Sequence, residues 1–312
     1  MLQARPCHSW LSGSGSRIVF VRRGLPVTLE ALRRETARRF AAVAGSGLSR
    51  IAIASGDAMD FAASLLAILH AGGTAVLPGS HRLGSPAIRP SAEAVIGERS
   101  AGAPMPRIEP GKAEETAAAL PPMPETARLL LFTSGSTGEP KPVLKSPETM
   151  DREAQMTASL FGARLQGCLA AGSVDPLHMF GLSFLIWLPM SLGVPIQAER
   201  LEVPEDLAAL CGAPRPVSLI TTPTFLKYLD PAAARPDLRL AITAGGALPR
   251  GCAERFRRWA GFWPSEIYGS TECGVIASRC AADPPGRAKL VPPIAFGPEA
   301  REGEILTPLA AG

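Results

Sequence analysis

Hydrophobic positions along the chain come in short bursts whose spacing switches between helical and strand-like periods. Leu29, Leu32, Phe40 and Val43 fall near one face, with Arg33, Arg34, Arg38 and Arg39 towards another, so the spacing predicts a surface helix capped by Thr28 and stopped at Gly45. The apolar run 51–54 reads as a buried strand, Ala58–His70 as an apolar helix ending at Gly72 and Gly73, and 75–77 as a second strand. Strand, helix, strand in that order predicts a parallel βαβ unit. From residue 78 to 124 the chain is dense in Pro, Ala and Gly without clear period, which predicts a connection with a short strand at Ala94–Ile96 and a helix near 114–120.

The α/β rhythm then resumes. Strands are predicted at 127–132, Val217–Thr221, Leu238–Thr243 and 265–268, and helices at 182–192, 223–229 and 249–259. A further helix starts at Ser146, a capping residue followed by Pro147 at the first helical position. Past Gly274 the helical pattern stops, and Pro and Gly punctuate short runs such as 289–291 and 304–306, the texture of small β-strands. The expected organisation is a first α/β subdomain over 1–125, a second over 126–274 and a partial β-subdomain over 275–312.

Composition narrows the function classes. The 312 residues are 46% hydrophobic and 19% charged, enough for a large core and unlike a disordered chain. A formal net charge of +4, spread without a basic run, gives no reason to expect a nucleic-acid partner. Lysine occurs only at Lys112, Lys141, Lys145, Lys227 and Lys289, so each one is informative against the arginine-rich background. The six cysteines form no C-x-x-C pair and the four histidines add no metal-ligand spacing, consistent with a reduced, cytoplasmic chain without structural zinc. The first residues lack the apolar core of a secretory signal, and the two longest apolar segments are too interrupted for a membrane span.

The chemistry concentrates in four places. LLLFTSGSTGEPK, from Leu129 to Lys141, is an apolar strand feeding a loop of hydroxyls and glycines. In that loop Gly135 and Gly138 free backbone N–H groups, Thr133, Ser134, Ser136 and Thr137 add hydroxyl donors, and Lys141 adds a mobile charge, a combination suited to polyphosphate. The order is not that of a Walker A loop, which disfavours a P-loop kinase. Downstream lie His178-Met179-Phe180-Gly181, Gly245-Gly246-Ala247 and Tyr268-Gly269-Ser270-Thr271-Glu272. Taken singly, the first loop reads by composition as a flexible surface loop, against which the apolar strand before it argues, while His178 reads as a structural histidine and Gly245 to Ala247 as a simple turn after a strand.

Taken together and in this order, the four segments resemble the signatures of the adenylate-forming superfamily: acyl-CoA synthetases, aryl-acid ligases, peptide-synthetase adenylation domains and luciferases. The resemblance covers roughly residues 28–312 and implies the layered α/β fold of that superfamily's N-terminal domain. It implies that Thr133 to Gly138 and Lys141 bind the phosphates of ATP, that Gly245, Gly246 and Ala247 lie against a planar ligand, and that Tyr268 flanks the adenine beside Gly269 and Ser270. It further implies that Thr271 bonds the α-phosphate or the substrate carboxylate, that Glu272 holds Mg²⁺, and that His178 gates the acyl pocket. Catalytic roles would fall to Lys141, His178, Thr271 and Glu272. The expected pocket walls are His178, Met179, Phe180, Phe184, Phe225, Gly246 and Val275, mostly small and apolar, suited to a flat aryl acid and next to a medium acyl chain.

The implied activity is formation of an acyl adenylate from an acid and ATP, followed by transfer to coenzyme A or to the phosphopantetheine of an acyl carrier protein. The competing class is a nucleotide- or acyl-adenylate-binding module that does not turn over. Two departures from the superfamily pattern stand out. Pro142 follows Lys141 where glycine is usual, with Lys145 expected to add a second positive charge near the phosphates. The chain also ends shortly after Gly303-Glu304-Ile305, before the ribose-binding Asp and the C-terminal lid with its adenylation lysine, so it is expected to be the large N-terminal domain of a longer enzyme, impaired in turnover by itself.

Overall fold

The computed structural model describes residues 3–79, 83–86, 88–111, 120–133, 140–283 and 289–290. Strands β1 (Ile18–Arg22) and β2 (Leu25–Thr28) form a hairpin that the helical and strand periods do not announce. Its two-residue turn has positive φ at both Arg23 (52°) and Gly24 (74°), the geometry that matches the twist of paired strands. Helix α1 (Leu29–Ser46) follows, with Thr28 Oγ1 accepting the Ala31 N–H at 3.3 Å. It runs past the expected stop at Gly45 and ends at Gly47, whose φ of 67° is the left-handed cap. Arg39, which the spacing puts on the polar face, is buried and paired with Glu35 and Asp60, the latter at 2.8 Å. A buried guanidinium of this kind is held only because its charge is matched.

The predicted βαβ unit is present as β3 (Arg50–Ile53), α2 (Ala58–His70) and β4 (Thr74–Leu77), with β3 and β4 parallel. Asp57 caps α2 by accepting the N–H groups of Met59 and Asp60, both at 3.0 Å. Every residue of α2 except Asp60 is buried, as an all-round apolar helix requires. Strand β5 (Ala94–Ile96), inside the Pro-rich connection, pairs with β3, while β6 (Arg128–Phe132) pairs with β4 and β7 (Pro142–Lys145) with β6. The result is a five-stranded sheet in the order β5-β3-β4-β6-β7, antiparallel only at β7. The helix expected near 114–120 falls on residues outside those described, apart from Leu120.

Beyond it come α3 (Pro147–Leu165), β8 (Leu169–Gly172), α4 (Met179–Gly181), a π-helical segment Leu182–Trp187, α5 (Leu188–Leu192) and β9 (Ile196–Gln197). Then follow β10 (Val217–Thr221), α6 (Pro223–Lys227), β11 (Leu238–Thr243), α7 (Arg250–Ala260), β12 (Ser265–Ser270), β13 (Gly274–Cys280) and β14 (Lys289–Leu290). Nine strands join in the order β14-β13-β12-β11-β10-β8-β9-β1-β2. Sheet membership therefore crosses residue 125: β6 and β7 belong with β3 to β5, and the N-terminal hairpin belongs with the later strands. The run expected at 304–306 lies outside the described residues.

Alternation along β10 sends Leu219 into a core under α6 and α7 and Ile220 into the larger core beneath α3 and the π-helical segment. The N-terminal segment seals that larger core. Trp10 packs edge-on against Trp187 with ring centroids 4.8 Å apart, and Asp151 on α3 accepts the indole N–H of Trp187 at 2.8 Å and the N–H of Cys7 at 3.0 Å. No helix among the described residues is long and apolar enough to cross a membrane.

Candidate active site

The β12–β13 hairpin shapes the Tyr268 to Glu272 turn. The backbone carbonyl of Gly274 passes so close to Gly269 that a Cβ there would lie 2.3 Å from its oxygen, which excludes any side chain. Ser270 spends its hydroxyl on the turn, accepting the Cys273 N–H at 3.1 Å. Tyr268 remains half exposed and Glu272 exposed, both beside a cleft of about 890 Å³. Lys145, at the end of β7, is buried and donates from Nζ to the Glu272 carbonyl at 3.3 Å. Its ammonium therefore pins the turn's main chain, a role that the sequence does not announce.

Most of the candidate residues line this one cleft: Thr133, His178, Met179, Phe180, Phe184, Gly245, Gly246, Ala247, Tyr268, Gly269, Ser270, Thr271, Glu272 and Val275. Ser134, Gly135, Ser136, Thr137 and Gly138 lie outside the described residues. The ends of their loop are joined, because Thr133 N–H donates to the Lys141 carbonyl at 3.0 Å and Phe132 faces Pro142 across the β6–β7 pair. Lys141 is not among the residues lining the cleft. Neither is Phe225, expected as a pocket wall: it is buried with Leu226 and Phe256 in the core under α6 and α7. The α6 cap explains this, since Thr222 Oγ1 accepts the Phe225 N–H and the short helix turns its apolar side into the sheet.

The H-x-x-G spacing has a steric reason. His178 precedes α4 and its N–H donates to the Asp175 carbonyl at 3.1 Å. Gly181, one turn on, packs on the same peptide: a Cβ there would sit 2.1 Å from the Asp175 oxygen. On the other side the His178 ring rests against Gly79, where a Cβ would come within 2.9 Å of Cε1 and φ is already 62°. Gly245 (φ 89°) and Gly246 are different, because a Cβ at either meets nothing within 4 Å. Their bare backbone borders the cleft and a smaller neighbouring recess of about 370 Å³ that also includes Thr222 and Lys227.

Sequence reasoning missed Glu153, Ser183, Glu266 and Arg279, all of which line the cleft. Glu266 is buried, accepts Arg279 Nε and Nη2 at 2.6 Å each, and accepts the Leu248 N–H at 3.0 Å. It thereby ties β12 to β13 and to the segment after Gly245 to Ala247. Burial pushes the Glu153 carboxyl above its ordinary pKa, against the opposing pull of the Ser183 hydroxyl, Lys145 and the Val275 N–H. Signals existed for both. Glu153 interrupts the buried stripe Met150, Ala154, Thr157 and Phe161 of α3, and Glu266 sits two residues before Tyr268 on the same strand.

Among the described residues no three His, Cys, Asp or Glu side chains cluster as a metal cage. A lone exposed carboxylate at Glu272 nonetheless suits Mg²⁺, which commonly binds through one or two carboxylates together with substrate phosphates and water.

The two layered sheets match the fold of adenylate-forming N-terminal domains. A benzoate CoA ligase from Burkholderia xenovorans superposes with a TM-score of 0.74 at 21% identity, over 92% of this chain and 66% of that one. A Brucella canis acyl-CoA synthetase does so with a TM-score of 0.74 at 20% identity, over 89% of this chain and 59% of the other. The chain belongs to the AMP-binding enzyme family, whose pattern its residues 85–301 match. The 4-coumarate–CoA ligase of Rhodobacter capsulatus is 30% identical over 165 residues, 53% of this chain and 42% of the relative. Phosphinothricin tripeptide synthetase PhsC of Streptomyces viridochromogenes is 32% identical over 171 residues, 53% of this chain and 15% of that protein. The matched region thus spans less than half the length of either curated relative.

Proposed function

We propose that this chain activates a carboxylic acid with ATP, forming an acyl adenylate and pyrophosphate, and passes the acyl group to a thiol, either coenzyme A or the phosphopantetheine of a carrier protein. The observation that carries this reading is the convergence of the Tyr268 to Glu272 turn, Gly245 to Ala247 and His178 on one cleft. A carboxylate oxygen attacks the α-phosphorus and the bond to pyrophosphate breaks. The thiol then gives up its proton to solvent, its sulfur attacks the acyl carbon, and the bond to AMP breaks. The acid is already ionised at neutral pH, so the protein's work is positioning and charge neutralisation, with little proton transfer.

In this reading Tyr268 offers a ring face to the adenine, Thr271 a hydroxyl to the α-phosphate or the acid, and the loop from Thr133 to Lys141 its amides and charge to the phosphates. Glu272 would hold the magnesium that travels with ATP, an ion whose charge offsets that of the phosphates. His178, braced between Gly79 and Asp175, stands where the acyl pocket opens. Met179, Phe180, Phe184 and Val275 give the cleft apolar walls, which favours an aryl acid first and a medium acyl chain next. A pyrophosphate-release screen against aryl and aliphatic acids tests the reading. Release that does not depend on an acid would refute it.

One substitution separates the acyl end from the nucleotide end. Gly246→Val adds bulk where the backbone faces open space, so it should cost little stability and narrow the cleft. We expect KM for the acid to rise about tenfold, the scale of about 1.4 kcal/mol of lost fit, with a smaller change for ATP. Equal changes in both would put Gly246 outside the acyl pocket.

A further inference from the structure

Glu153 is 8% exposed, yet it borders the cleft where α3, the π-helical segment and β13 meet, among Phe184, Met179 and Val275. Setting a carboxyl in an apolar wall is costly, and a hydrophobic side chain of similar volume would pack there at less cost. The fold makes room for it all the same. Gly274 has no side chain where a Cβ would stand 1.9 Å from Glu153 Oε2. Ser183, one turn after Met179 and itself a cleft residue, turns its hydroxyl onto Oε1 at 2.5 Å. A carboxyl group has about four acceptor positions, and the Ser183 hydroxyl and the Val275 N–H do not exhaust them, while the buried Lys145 ammonium, which also attracts the carboxyl, donates to the Glu272 carbonyl.

We propose that Glu153 is a specificity-determining residue that selects acids bearing a hydrogen-bond donor, an amine or hydroxyl, at a distance from the carboxylate being activated. The inference rests on the acid-activating reading above and narrows its substrate class. An amine or hydroxyl on the substrate fills the remaining acceptor position and repays part of the cost of burying the carboxyl. A plain hydrocarbon surface in the same place would leave that acceptor position empty. Ser183 fixes the carboxyl's orientation, and the raised pKa that burial imposes is partly relieved when a donor arrives.

The test measures dissociation constants for paired, uncleavable adenylate mimics: hydroxybenzoyl or aminobenzoyl sulfamoyl adenosine against benzoyl sulfamoyl adenosine, and hydroxyoctanoyl against octanoyl. The wild-type protein is expected to bind the donor-bearing member of at least one pair about tenfold more tightly, the scale of one hydrogen bond to a charged group. In Glu153→Met, close in size and apolar, that ratio should collapse to about one. If the variant does not fold, Glu153→Gln should lower the ratio for the amine several-fold, because it keeps an acceptor but removes the charge. No preference in the wild type, or a ratio that persists while both ligands weaken together, overturns the role of Glu153 and leaves acid activation standing. Failure of every mimic to bind overturns the acid-activating reading and this inference with it.

Discussion

Glu272→Gln is expected to lower acid-dependent turnover of ATP by about 10²-fold or more, the scale on which one transition-state stabiliser is lost. The carboxyl stands exposed at the cleft edge, and among the described residues it has no ion-pair partner, so its charge supports no internal bridge. Its main chain is fixed independently, through the carbonyl that Lys145 grips and the turn that Ser270 closes. The amide should therefore leave the turn in place, with stability within about 0.5 kcal/mol of the wild type, and act on the metal alone. A raised magnesium requirement should accompany the loss. Unchanged turnover with unchanged magnesium dependence would remove Glu272 from the site.

Gly181→Val is expected to be strongly destabilising, costing about 3 kcal/mol in denaturant unfolding. The new Cβ would fall 2.1 Å from the Asp175 oxygen and 2.7 Å from its carbon, and neither is the end of a flexible side chain. Relief requires moving the peptide from which His178 hangs. That same Asp175 accepts the Leu177 N–H at 2.9 Å and pairs with Arg200 at 3.4 Å, so the shift breaks further contacts. Gly246→Val is the natural control, since it adds equal bulk into open space. Equal stability for the two variants would show that Gly181 is not needed for the close approach.

What could be read from the sequence followed from how local its causes were. Helix α2 and the start of α3 are set by capping residues, Asp57 and Ser146, and by unbroken apolar or periodic runs, so their limits are local properties. Strand β8 was missed because Leu169 to Gly172 holds only one large side chain, and β7 because an exposed edge strand beginning at Pro142 shows no alternation of its own. The π-helical turn at Leu182–Trp187 interrupts what periodicity reads as one helix over 182–192.

At the site, Gly245 to Ala247 and the Tyr268 to Glu272 turn stand out in the sequence because their residue types are unusual in a row, and both border the cleft. Phe225, Lys145 and Glu153 were misread or missed because their roles depend on which elements meet in three dimensions. Phe225 looked like a wall until α6 turned it into the core. What Lys145 and Glu153 do is set only when the β12–β13 hairpin folds over both.

The central claim is that an acid and ATP react in this cleft at the α-phosphorus. Its most direct measurement is exchange of labelled pyrophosphate into ATP, followed with and without candidate acids, with ADP and AMP quantified in the same samples. Exchange that depends on an acid, forms no ADP and falls about 10²-fold in Glu272→Gln is the predicted result. Exchange without any acid, or cleavage of ATP to ADP and phosphate, would contradict it.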